Sequence, residues 1–130
     1  MTVATPTPAR PLTIAGAAKL LGLTAHTLRY YERDGLMLEA VGRAASGHRQ
    51  YTERDLTWLR MITRLRSTGA PIREVRAYAV LVRAGEGNEA ERLALLRAHR
   101  TRVIAQLCAI QENLEAIEYK VALYEERLAR

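Results

Sequence analysis

Few side chains in this 130-residue sequence could carry covalent chemistry. The three histidines, His26, His48 and His99, have no nucleophile or carboxylate at a recognisable spacing, and no glycine-rich loop is present to cradle a phosphate. The single cysteine, Cys108, forbids an intrachain disulfide, and no zinc-ligand spacing exists. The pattern argues against an enzyme, and no catalytic residue, metal site or cofactor is expected. Recognition of a polyanion is better served. His26, Arg29, Tyr30 and Arg33 stand at i, i+3, i+4 and i+7, so a helix would present two guanidiniums, an imidazole and a phenol on one face.

That helix has its punctuation. Thr24 suits an N-cap, since its hydroxyl can accept from a free amide of the first turn, and Gly35 can take the left-handed conformation that stops a helix. Leu28 and Tyr31 fall on the opposite side, toward a core. Upstream, Thr13 can cap a first helix with Ile14, Ala17, Ala18 and Leu21 on one side, and Gly22-Leu23 makes a tight turn. Two short helices joined in this way form a helix-turn-helix, whose second helix enters the DNA major groove. The same pattern also fits an ordinary helical hairpin.

Composition bounds the setting. The length suits one domain, or one small domain with an appendage. No apolar run approaches the roughly 18 residues of a membrane span, and the start of the chain lacks a signal-peptide core, so no membrane role and a cytoplasmic location are expected. The net charge is +6, unevenly spread. Residues 1–85 hold 13 basic and 6 acidic residues, giving +7, whereas residues 86–130 hold 7 and 8, giving −1. The basic excess lies with the candidate DNA helix. Only Lys19 and Lys120 are lysines; arginine suits phosphate recognition, and genome-wide codon bias would give the same ratio.

The remaining segments divide readily. Residues 1–11, with three of the four prolines, read as a disordered leader. Residues 36–51 carry Gly42, Ser46 and Gly47 between apolar or aromatic ends; on the residues alone a solvated loop is favoured over a β-hairpin. Thr52 caps a helix with Glu53 and Asp55 in its first turn, an apolar stripe of Trp58, Met61, Ile62 and Leu65, and an exposed Arg60 and Arg64 opposite. Gly69 ends it, and Pro71 begins another helix running to about Arg83. After Gly85-Glu86-Gly87, one long helix occupies residues 88–129. Leu93, Leu96, Val103, Leu107, Ile110, Leu114, Ile117, Val121, Tyr124 and Leu128 follow at three- and four-residue steps, with Arg100 interrupting. This is a coiled-coil stripe. The first 85 residues are too few to cover a helix of about 55–60 Å, so the stripe is expected to seek a second chain.

These residues carry a family resemblance. Thr13-Ile14, Ala17-Ala18, Leu20-Leu21-Gly22, Thr27-Leu28-Arg29-Tyr30-Tyr31-Glu32 and Gly35-Leu36 resemble the start of a MerR-family transcriptional regulator. Gly47-His48-Arg49-Gln50-Tyr51, Asp55-Leu56, Ile62, Leu65-Arg66 and Gly69 continue it, so that roughly residues 12–82 are covered. Leu38-Glu39-Ala40 stands where family members often carry a proline.

The resemblance implies a mainly α fold: a winged helix-turn-helix DNA-binding domain over residues 12–84, then a long dimerisation helix pairing as an antiparallel coiled coil. It turns residues 36–51 into the wing. The DNA contacts it implies are His26, Thr27, Arg29, Tyr30 and Tyr31 on the second helix, Arg43, His48 and Arg49 on the wing, and Arg64. Dimerisation would use Val103, Leu107, Ile110, Leu114, Ile117, Val121 and Tyr124. The partners would be a near-palindromic promoter, a second copy, RNA polymerase indirectly through a distorted spacer, and a small-molecule effector. Lone Cys108 and the absence of a cysteine loop after Leu114 argue against metal sensing. The short form, with Trp58-Leu59, Thr68-Gly69 and Ile117-Glu118-Tyr119-Lys120, is similar to a branch responding to aldehydes, electrophiles or general stress. The alternative is a coiled-coil interaction module whose basic face binds protein or acidic membrane.

Overall fold

The computed structural model describes residues 10–130; most of the expected leader, residues 1–9, lies outside the described residues. The element order is α1 (Ile14–Leu21), α2 (Ala25–Arg33), β1 (Gly42–Arg43), β2 (Arg49–Gln50), α3 (Glu53–Ser67), α4 (Ile72–Arg83) and α5 (Glu89–Ala129). The chain divides into two units, one ending at Arg92 and one spanning Leu93–Arg130. The division falls inside α5, a few residues beyond the expected boundary.

Short helices need capped ends, because each leaves four amides and four carbonyls without helical partners. Threonines supply the N-caps of α1, α2 and α3, whereas Pro71 precedes α4 without a side-chain cap. Thr13 Oγ1 accepts from the Gly16 amide at 3.1 Å, Thr24 Oγ1 from Thr27 at 3.0 Å, and Thr52 Oγ1 from Asp55 at 3.2 Å. The Asp55 carboxylate returns the favour by accepting from the Thr52 amide, which completes a capping box. Gly22 closes α1 with φ 69°, and the following Leu23 amide donates to Ala18 O at 2.9 Å. Gly35, with φ 74°, turns the chain after α2 and lets the Leu36 amide reach Tyr31 O at 2.9 Å.

The core of this unit is built from Ala17 and Ala18 of α1, Leu28 and Tyr31 of α2, Leu56, Leu59, Ile62 and Leu65 of α3, and Val75 and Ala79 of α4, closed by Leu36, Val41 and Tyr51. The buried face of α3 is wider than the stripe expected from sequence. It includes Leu56 and Leu59, and it leaves Arg60 half-buried where the pattern suggested an exposed pair with Arg64.

Residues 36–51 do contain a hairpin, over residues 42–50. β1 and β2 are antiparallel, with Gly42 opposite Gln50 and Arg43 opposite Arg49. Its tip is closed by Ala44 and His48, whose backbone bond is 2.8 Å, and its base is tied to the start of α1 by a Leu12–Tyr51 bridge of 2.9 and 2.8 Å.

The second unit is the remainder of α5, a helix of 41 residues in all. Its stripe is bare in the single chain: Leu107, Ile110, Leu114, Ile117, Val121 and Tyr124 are all exposed, Ile110 at 63%. Cys108 is exposed as well. No helix among the described residues is long and apolar enough to cross a membrane.

Candidate nucleic-acid interface

The outward face of α2 follows directly from its buried one. Leu28 and Tyr31 anchor the helix, so His26, Arg29 and Arg33 are exposed and Tyr30 is half-buried beside them. The Arg33 guanidinium stands 5.9 Å from the Tyr30 ring centroid, which braces both side chains. Tyr31, included among the expected DNA contacts, is 5% exposed and belongs to the core. The correction has a simple cause: Tyr31 lies three residues after Leu28, on the inward side of the same helix. Thr27 is half-buried and occupied with the N-cap, its amide and hydroxyl both bonded to the Thr24 side chain.

The wing brings further cations to this face. Arg29, Arg43, His48 and Arg49 line one cleft of about 200 Å³ between the N-terminus of α1, α2 and the hairpin. Arg29, Glu32, Arg33 and Arg49 line an adjoining one of about 400 Å³. Arg64 is exposed on α3 but lines neither cleft. Within the wing, Arg43 Nη1 donates to Gly47 O at 2.9 Å, and His48 Nδ1 lies 2.9 Å from Ser46 Oγ. Arg49 is tied down more firmly: its Nε donates to Glu32 Oε2 at 2.5 Å, with both side chains about a quarter exposed. Glu32 thereby fastens the hairpin to α2.

Three side chains that sequence reading did not assign hold the exit of α2. Arg76 pairs with Asp34. Arg83 Nη1 donates to Gly35 O at 2.6 Å and Met37 O at 2.8 Å, and Trp58 Nε1 donates to Leu36 O at 2.7 Å. The only signal in the sequence is the i, i+7 spacing of Arg76 and Arg83, which sets both on one face of α4. Beneath the wing, the Tyr51 hydroxyl is buried with no hydrogen-bond partner. Burial, and then the negative charge of Glu32, pushes this phenol above its ordinary value of 10.0, against the pull of Arg49. Among the described residues no cluster of three or more His, Cys, Asp or Glu could hold a metal ion.

Two short capped helices with a short antiparallel hairpin against the second, and cations gathered where they meet, define a winged helix-turn-helix of the DNA-binding class. Comparison with known proteins supplies the family. Residues 12–79 match the family described as MerR HTH family regulatory protein, and residues 56–119 the one described as MerR, DNA binding. The chain belongs to the MerR family of DNA-binding transcriptional regulators. An uncharacterized HTH-type transcriptional regulator of Haemophilus influenzae is 35% identical over 117 residues, covering 90% of this chain and 86% of the relative. The regulator AdhR of Bacillus subtilis is 41% identical over 93 residues, covering 72% and 66%. Among solved structures, HiNmlR, a MerR family regulator lacking the sensor domain and bound to promoter DNA, superposes with a TM-score of 0.78 at 34% identity, covering 92% of this chain and 94% of that one. A MerR-family regulator from Bacillus thuringiensis gives 0.75 at 30% identity, covering 86% and 97%.

Proposed function

We propose that this regulator acts in the cytoplasm as a homodimer on a near-palindromic promoter site. Each protomer lays α2 in a major groove and the wing on the flanking phosphates. The observation that carries this reading is the convergence of Arg29, Arg43, His48 and Arg49 on one cleft between α2 and the hairpin. Arg29 and Tyr30 reach backbone or base edges; His26, Arg43, His48, Arg49 and Arg64 supply positioning contacts. The bare stripe of α5 pairs antiparallel with that of a second copy, through Val103, Leu107, Ile110, Leu114, Ile117, Val121 and Tyr124. The dimer then bends and untwists the promoter spacer, at an energetic cost that added phosphate contacts offset, so that RNA polymerase can engage both promoter elements. A small-molecule effector biases that distortion. The chain works by binding and performs no catalysis. HiNmlR, whose structure contains promoter DNA, supports the DNA half of this reading.

Selection of bound fragments from a genomic library, followed by footprinting, tests the proposal. Enrichment of a site with twofold symmetry, bound steeply less well as salt rises, is the expected result. Binding blind to sequence would refute it, and would favour a basic interaction module instead.

A further inference from the structure

A third concavity lies in the first unit and shares no lining residue with the two clefts at α2 and the hairpin. It measures about 410 Å³ and is lined by Leu38, Trp58, Met61 and Tyr78, with Arg54 and Arg92 at its edge. Trp58 and Tyr78 stack with ring centroids 5.7 Å apart and planes inclined by 14°, so each ring covers one face of the other; Trp58 is buried, and the half-buried Leu38, Met61 and Tyr78 supply the open apolar surface. The indole N–H is already bonded to Leu36 O, which locks the ring and leaves it no donor to offer a ligand. Small-molecule sites commonly combine this size and apolar lining with a few convergent polar groups.

From this geometry we propose that the groove binds a small apolar molecule carrying a carboxylate, such as an aromatic acid. Leu38, Met61 and Tyr78 take the apolar part by burial. The arginines take the anion. Arg92 is held in place by Asn88 Oδ1 at 2.6 Å and by Gly85 O, which gives its charge a fixed position at the start of α5. Arg54 pairs with Glu39 at 2.7 Å, but both side chains are mostly exposed, and such a surface pair is readily exchanged for a ligand carboxylate. The site deepens the effector part of the proposed function and rests on that reading only for its consequence. Leu38 directly follows residues 35–37, whose carbonyls are held by Arg83 and Trp58. A ligand against Leu38 and Trp58 therefore touches the segment that sets the exit of α2.

The chain contains one tryptophan, so its indole N–H gives a single reporter signal in a proton–nitrogen correlation spectrum. Titration of the full chain with 1-naphthoate, without DNA, is expected to shift that signal saturably, with a dissociation constant of roughly 10–1,000 μM. The neutral analogue 1-naphthalenemethanol should bind about fivefold more weakly or worse, as should naphthoate to Arg54→Gln and to Thr57→Glu, which places an acid at an exposed position on the rim. Arg92 is left intact because its bonds hold the start of α5. Absence of a saturable shift, whether the groove is empty of affinity or covered by a second copy, overturns the proposal. So does equal affinity for acid and alcohol, or indifference to both substitutions. Because DNA is absent throughout, failure here leaves the promoter-binding reading standing, and failure of that reading leaves these binding results standing.

Discussion

Arg49 of the wing and Glu32 of α2 form an ion pair of 2.5 Å that spans 17 residues of sequence. The residue expected to serve as a phosphate contact is thus also the strut between α2 and the hairpin. Arg49→Ala should weaken operator binding and flatten its salt dependence. Glu32→Gln, which keeps the guanidinium but loosens the strut, should weaken binding less and leave the salt slope nearly unchanged. Filter binding or anisotropy across a salt series separates the two. A Glu32→Gln slope as flat as that of Arg49→Ala would contradict the strut assignment.

Arg29 lines both clefts. Arg29→Ala removes a charge-assisted contact worth roughly 1.5–3 kcal/mol per protomer, and twice that for a dimer. A mutant that binds its selected site as tightly as the wild type would remove α2 from the groove.

The stripe of α5 bears on assembly. Leu114→Glu together with Ile117→Glu would bury four carboxylates per dimer at the seam, at a cost of several kcal/mol. Analytical ultracentrifugation should find monomer or unfolded chain. A dimer of unaltered stability would mean that another surface joins the protomers.

Tyr51 offers a pH-dependent signature. Its raised pKa means that the folded state prefers the neutral phenol. The stability this contributes is complete below the unfolded value of 10.0 and is lost as pH climbs through the folded one. Tyr51→Phe abolishes that loss. Because the hydroxyl is buried without a partner, the same substitution should be neutral or stabilising by up to about 1–2 kcal/mol at neutral pH. Urea midpoints of both proteins from about pH 7 to about pH 11 give the comparison. A marked loss of stability in Tyr51→Phe at neutral pH would show that the hydroxyl is bonded after all.

The helices were legible because their ends are written locally. Thr13, Thr24 and Thr52 announce caps within three residues of the amides they serve, and the three- and four-residue steps of α5 are visible without any tertiary information. The wing was not legible from its own residues. Strands of two residues each are too short for alternation to appear, and only the family resemblance pointed to them. The outward face of α2 was legible, because position along one helix decides exposure. Tyr31 shows the limit of carrying a motif over whole, since its own spacing from Leu28 already turned it inward. The partners of Arg49, Arg76 and Arg83 lie 17 to 48 residues away and become neighbours only once the core has formed.

The grip on residues 35–37 takes hold of peptide oxygens. Every amino acid supplies such an oxygen, so positions 36 and 37 can drift among apolar side chains that still fill the core without loosening the hold, while position 35 keeps its glycine for its φ of 74°. The donors have no such freedom, because an indole N–H and a long planar cation are each provided by one residue type. In a screen for inactive alleles, lesions that disturb this hold should therefore accumulate at codons 58 and 83, far along the gene from the helix whose exit they guard.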